Sequence, residues 1–249
     1  AQIDLDKRDP YSSDDVMRIP EVLAGLDLSG LNIAFSEDLG GLAPVDNSIR
    51  EVFRSRMTTF SHVFATATDA SPDLTNAHDI FEIQRGINFL SAHAERLETA
   101  RDKLGPNVID NTERGLAFTA KEVAWAQAEQ AKLYHRYTDF FDDFDVLVCP
   151  TAAVSPFPHD DLSVSEINGE AMPTYMRWLA LAYGLTVALP CVVALPCGVD
   201  QKGMPFGIQV AGPNGSDAMV IEVAYALEKV LAANAETKRP VPDIAKLIA

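Results

Sequence analysis

Apolar residues along this chain follow two spacings in turn: short runs of neighbours or alternating positions, and longer stretches at intervals of three and four. The first spacing predicts strands and the second predicts helices. Leu31 to Phe35, entered through Ser29-Gly30, reads as a strand. Asp46 then caps a helix whose Ile49, Val52, Phe53 and Phe60 share one face. His62 to Thr68 predicts a second strand, with Val63, Ala65 and Ala67 on one side and Pro72 closing it. A long helix follows over residues 76–103, with Ile80, Phe81, Ile87 and Leu90 inward, and Gly105-Pro106 ends it.

Thr119-Ala120-Lys121-Glu122 has the form of a capping box and opens an Ala-rich helix reaching Phe140. Asp145 to Cys149 is a buried strand stopped by Pro150-Thr151. Residues 152–170 form a Pro-, Ser- and Asp-rich loop, of a length that is commonly functional. A helix over residues 173–183 leads to two further strands, and Ser216 caps a last helix with Val220, Val223, Ala224, Leu227 and Val230 inward. Neither an internal repeat nor a domain boundary interrupts this order. The expected fold is α/β, a mixed sheet flanked by helices, with residues 1–249 in one unit.

Composition narrows the function classes. With 249 residues, 47% hydrophobic and 22% charged, the chain is too apolar for disorder and long enough for a large core. A formal net charge of −16 disfavours nucleic acid and anionic membranes as partners. Apolar runs stay shorter than a membrane span, so a soluble cytoplasmic protein is expected. Cys149, Cys191 and Cys197 sit in or beside apolar strands without metal-ligand spacing and read as free thiols.

Candidate chemistry outside the strands is thin. His159-Asp160-Asp161 beside Ser155 and Ser163 reads as a solvated acidic loop. Asp139, Asp142, Asp143 and Asp145 lack the Gly and terminal Glu of a calcium loop. His78 and His93 do not share a helix face as metal ligands. No metal or cofactor is assigned.

The most specific signal is a pair of Pro- and Gly-bounded strands. Leu189-Pro190-Cys191-Val192-Val193-Ala194-Leu195-Pro196-Cys197-Gly198 is followed by Gly203-Met204-Pro205-Phe206-Gly207-Ile208-Gln209. The glycines permit tight turns and close backbone approach. Gln209, between Ile208 and Val210, is expected to tie neighbouring backbone together. With Asp145 to Thr151, the helix containing Glu228, Ser29 to Ala34 and Arg8-Asp9-Pro10, this pair resembles the amidase-signature hydrolases over nearly the whole chain.

That resemblance implies hydrolysis of a carboxamide or related C–N bond. It also implies a nucleophilic Ser on a Gly/Ser-rich loop, a second Ser relaying the proton, and a buried neutral Lys as base. Such chemistry is sound, because a hydroxyl needs an adjacent base and burial lowers a lysine's pKa. This sequence holds no loop of that kind. Ser12-Ser13 and Gly215-Ser216 read as turn and cap serines, and Lys121 and Lys132 as surface residues. No catalytic residue is therefore assigned.

Ala1 is not an initiator Met, and Ala1 to Asp4 reads as the tail of a helix already under way. The expectation is the C-terminal half of a larger amidase, partnered by its N-terminal half and a small-molecule amide, with association of further copies left open. In the family the helix before the signature strands helps to wall the substrate pocket, which implies substrate-binding roles for Tyr175, Trp178, Leu179 and Tyr183. Relatives binding amino-acid-like substrates carry an acid where Trp178 stands, so an apolar or aromatic amide is expected here. The alternative is a non-catalytic amidase-fold subunit acting in protein association.

Overall fold

A computed structural model describes residues 23–244. The stretch Arg8-Asp9-Pro10, the serines Ser12-Ser13 and the helix tail expected at Ala1 lie outside the described residues.

The main sheet is built around β1 (Asn32–Phe35) and is entered through a 3-10 turn at Leu28–Gly30. Helix α1 (Asn47–Phe60) follows, and the carboxylate of Asp46 accepts from Ser48 N at 2.8 Å, as its capping role requires. The expected strand at 62–68 is shorter and later. Ser61–Val63 forms a 3-10 turn that sets Phe64 into the core, and β2 spans Thr66–Asp69.

Helix α2 (Ala77–Thr99) closes with a 3-10 turn at Arg101–Lys103. Gly105-Pro106 does not merely end it. Pro106 opens a further helix, α3 (Pro106–Ala117), because the first helical position needs no N–H donor. The two helices cross where Gly86 meets Gly115, so closely that a Cβ on Gly115 would overlap Gly86 O. Helix α4 (Ala120–Phe140) has both halves of its capping box formed between Thr119 and Glu122.

Strand β3 (Val146–Pro150) is buried at every position. Within the long loop, β4 (Glu166–Ile167) and β5 (Glu170–Ala171) make a small hairpin. Its Asn168-Gly169 turn has positive φ at both residues, the form that matches strand twist. The Asn168 amide ties this hairpin to the start of α1, accepting from Asn47 N and donating to Val45 O.

The expected helix over 173–183 is only partly helical. Tyr175 is anchored toward α2 and α3 by its phenol, Arg177–Leu179 is a 3-10 turn, and α5 spans Ala180–Val187. Strand β6 (Cys191–Val199) and strand β7 (Pro205–Gly212) are the signature pair. They are joined by a turn in which Asp200 Oδ1 accepts from Lys202 N and Met204 N. Ser216 precedes α6 (Asp217–Ala232) but its hydroxyl does not cap it. It donates to Pro213 O at 2.7 Å instead, closing the turn before the helix.

Sheet order is β2-β1-β3-β7-β6. Strands β2 and β3 lie parallel to β1, while β7 runs antiparallel to both β3 and β6. Helical faces complete the core: Ile49, Val52, Phe53, Met57 and Phe60 from α1, and Val220, Val223, Ala224, Leu227 and Leu231 from α6. Among the described residues no helix is long and apolar enough to cross a membrane.

Candidate functional site

The end of β3 and the start of β7 create an apolar recess beside the signature strands. Thr151 N donates to Gly207 O at 3.0 Å, drawing the loop after β3 against β7. Gly207 is required there, since a Cβ would meet Thr151 Oγ1 at 2.8 Å. Above this contact lies a cavity of about 210 Å³, lined chiefly by Ile49, Val154, Phe157, Trp178 and Phe206, with Thr151 and Ser155 as polar members. Phe157 and Trp178 meet edge to face, with ring centroids 5.4 Å apart. The indole Nε1 of Trp178 is buried and has no acceptor among the described residues. Among the described residues no ionisable side chain lines the cavity.

The four residues assigned to a pocket wall are not brought together. Trp178 lines the cavity, and Leu179 is a half-buried residue packed on the core. Tyr183 is buried, stacked on Phe81 at 4.1 Å between centroids, and in contact with His78 Nδ1 at 2.7 Å. Burial holds His78 down to about 4, so the imidazole is neutral, and its Nδ1 shares one hydrogen bond with the phenol oxygen. Burial in turn pushes the Tyr183 phenol up to about 12. Tyr175 belongs to a separate cleft between α2 and α3, where its hydroxyl accepts from Arg85 Nη2 and Asn111 Nδ2.

Gln209 does what its position implies. Its Nε2 donates to Pro150 O at 3.1 Å and Leu181 O at 3.0 Å, joining β3, β7 and α5. The three cysteines are free. Burial pushes the Cys149 and Cys197 thiols up to about 12. Cys191 is raised by burial and by Asp217, whose carboxylate lies 2.9 Å from Sγ. None of the three is an activated nucleophile at neutral pH.

His159 and Asp160 are almost fully exposed, the solvated loop that the sequence suggested. Asp145 differs from its acidic neighbours, since its carboxylate accepts from Asn32 N at the start of β1. Among the described residues no group of three His, Cys, Asp or Glu is placed to hold a metal.

Sequence reasoning missed Ile49, Phe157 and Phe206 as cavity residues. Pro150-Thr151 and Gly207 were visible as strand punctuation, and their pairing would have located the recess. Phe157 sits in a loop and carries no periodic signal.

A mixed sheet covered by helices, with a recess where strand ends meet, defines an α/β protein. The family model named Amidase matches residues 3–221, and the chain belongs to this family of amidase-signature hydrolases. It is 26% identical to an acylamidase of Rhodococcus erythropolis over 206 residues, which is 82% of this chain and 43% of the relative. It is 31% identical to a fatty acid amide hydrolase of Medicago truncatula over 165 residues, 64% of this chain and 26% of that one. A bacterial aryl acylamidase structure superposes with a TM-score of 0.77 at 20% identity, covering 91% of this chain and 48% of its own. The chain thus spans about half the length, or less, of these relatives.

Proposed function

We propose that this chain is the C-terminal portion of a serine amidase, providing scaffold and one wall of a pocket for an uncharged, apolar or aromatic amide. The nucleophile and its base then come from a segment outside this sequence, the N-terminal half of the same enzyme. The observation that carries this reading is the cavity at Trp178, formed beside a family member's signature strands and, among the described residues, lined by no ionisable side chain. An amide whose non-reacting end is an alkyl or aryl group gains from burial against Phe157, Trp178 and Phe206, whereas an ammonium group would find no carboxylate among the described lining residues. The unpartnered Trp178 indole N–H supplies one donor for a substrate carbonyl.

The test uses p-nitroacetanilide and an ammonium-bearing amide as substrates. This chain alone is expected to hydrolyse neither. Joined with an amidase N-terminal half, it is expected to hydrolyse the anilide, and Trp178→Asp is expected to reverse the preference. Hydrolysis by this chain alone refutes the division of labour. Unchanged selectivity in the Trp178 variant refutes the pocket.

A further inference from the structure

Two of the residues lining the Trp178 cavity carry a buried polar atom without a partner. Ser155 is 8% exposed, and its Oγ makes no hydrogen bond among the described residues. The other is Trp178 itself, through Nε1. An indole N–H can only donate, whereas a hydroxyl donates once and accepts through two lone pairs. Leaving such groups unpaired in an interior is costly, so each marks a place where a ligand atom is wanted.

The loop that carries Ser155 is held by backbone bonds. Thr151 N donates to Gly207 O at 3.0 Å, and Asp46 N donates to Ala153 O at 2.8 Å. Ala153 is fully buried. Ser155 therefore borders the cavity from a backbone pinned to β7 and to the cap of α1.

Asp200 decides how the hydroxyl is used. It is buried and stands outside the cavity lining. Burial would raise its carboxyl, but the Ser155 hydroxyl and the backbone N–H groups of Met204 and Lys202 hold it below the ordinary carboxylate range. Ser155 Oγ thus lies close enough to interact with this anion without closing a hydrogen bond to it. A hydroxyl beside a fixed anion turns its proton toward the charge and its lone pairs away. On the cavity side, Ser155 then offers an acceptor.

We propose that Ser155 is a specificity-determining residue of this cavity, accepting a hydrogen bond from an uncharged O–H or N–H on the apolar part of the ligand. The preferred amides are aryl or alkyl amides that carry such a donor, a phenolic hydroxyl being the simplest. This role rests on the pocket proposed above and narrows the substrate class that the pocket takes. A cavity of about 210 Å³ has room for a substituted ring, since one of about 150 Å³ holds benzene. An analogue with hydrocarbon in place of the donor leaves Ser155 unpaired, which is how a polar site rejects a close isostere.

Three acetanilides differing at the para position test it, titrated into the full chain and followed by ligand-observed NMR. The hydroxy compound offers a donor, the methoxy compound only an acceptor, and the methyl compound neither. All share one carbonyl, so the Trp178 donor is served alike. The hydroxy compound is expected to bind at least about fivefold more tightly than the other two. Ser155→Ala, with folding checked by thermal melting, is expected to bring all three within about twofold of one another. Equal affinity of the hydroxy and methyl compounds overturns the role of Ser155 and leaves the apolar pocket standing. Tightest binding of the methoxy compound does the same, because Ser155 would then be donating. A hydroxyl preference that survives Ser155→Ala places the acceptor elsewhere and also overturns it. Saturation with none of the three overturns the pocket, and the role of Ser155 with it.

Discussion

Gln209 shows how a single buried amide can be placed by its neighbours yet not explained by them. Its position between Ile208 and Val210 implies burial, and burial implies partners. Those partners, Pro150 O and Leu181 O, lie 59 and 28 residues away, so only the folded chain identifies them. Gln209→Met preserves length and removes both donors. Two buried carbonyls then lose their bonds, and stability is expected to fall by about 2 kcal/mol in denaturant unfolding. His78 makes a second residue-scale prediction. Its folded pKa, about 4, lies below the ordinary histidine value, so the unfolded chain binds the extra proton first. Stability is therefore expected to decline as pH falls from about 6.5 toward 4, from this group alone. Against wild type, His78→Gln should show a shallower loss of stability between pH 6.5 and 5. An identical slope would mean that other groups carry the dependence.

At the level of elements, strongly periodic helices and buried strands were legible, and the exceptions have identifiable causes. The capping box at Thr119 and the cap at Asp46 were local in sequence and formed as read. Helix α3 was hidden because Gly105-Pro106 serves equally as a stop and as a start. Its packing depends on Gly86 and Gly115, whose lack of side chains gives no periodic signal. Gly115→Ala would drive a Cβ into Gly86 O and the Leu90 side chain, forcing α2 and α3 apart. The expected cost is about 3 kcal/mol, within the range for overpacking, read as a drop in melting temperature. Thr119→Ala, which removes only a cap at an exposed helix end, should cost about 1 kcal/mol by the same measurement. The Trp178 cavity was half legible on the same grounds: its strand ends are punctuated by Pro and Gly, but its loop aromatics are not periodic.

Across the whole molecule, the two outer strands of the sheet differ in what they present. Strand β2 is four residues long, and its first residue turns a hydroxyl to Asn32 Oδ1, a short polar edge of the kind that discourages pairing. Strand β6 is nine residues long and, among the described residues, pairs only with β7. Val192 is 39% exposed, and Leu189 just before the strand is 50% exposed. A long edge with apolar side chains in solvent is a pairing surface. On the reading proposed above, the nucleophile-bearing half is therefore expected to dock along β6. Val192→Lys tests this without touching the cavity. As an exposed substitution it should leave the chain's own stability within about 0.5 kcal/mol. Docking of the other half would bury the ammonium group without a partner, so association should weaken by at least about tenfold. Anilide hydrolysis at limiting concentrations of the two halves should fall in step. If association and hydrolysis survive Val192→Lys unchanged, the other half docks elsewhere and β6 remains an edge.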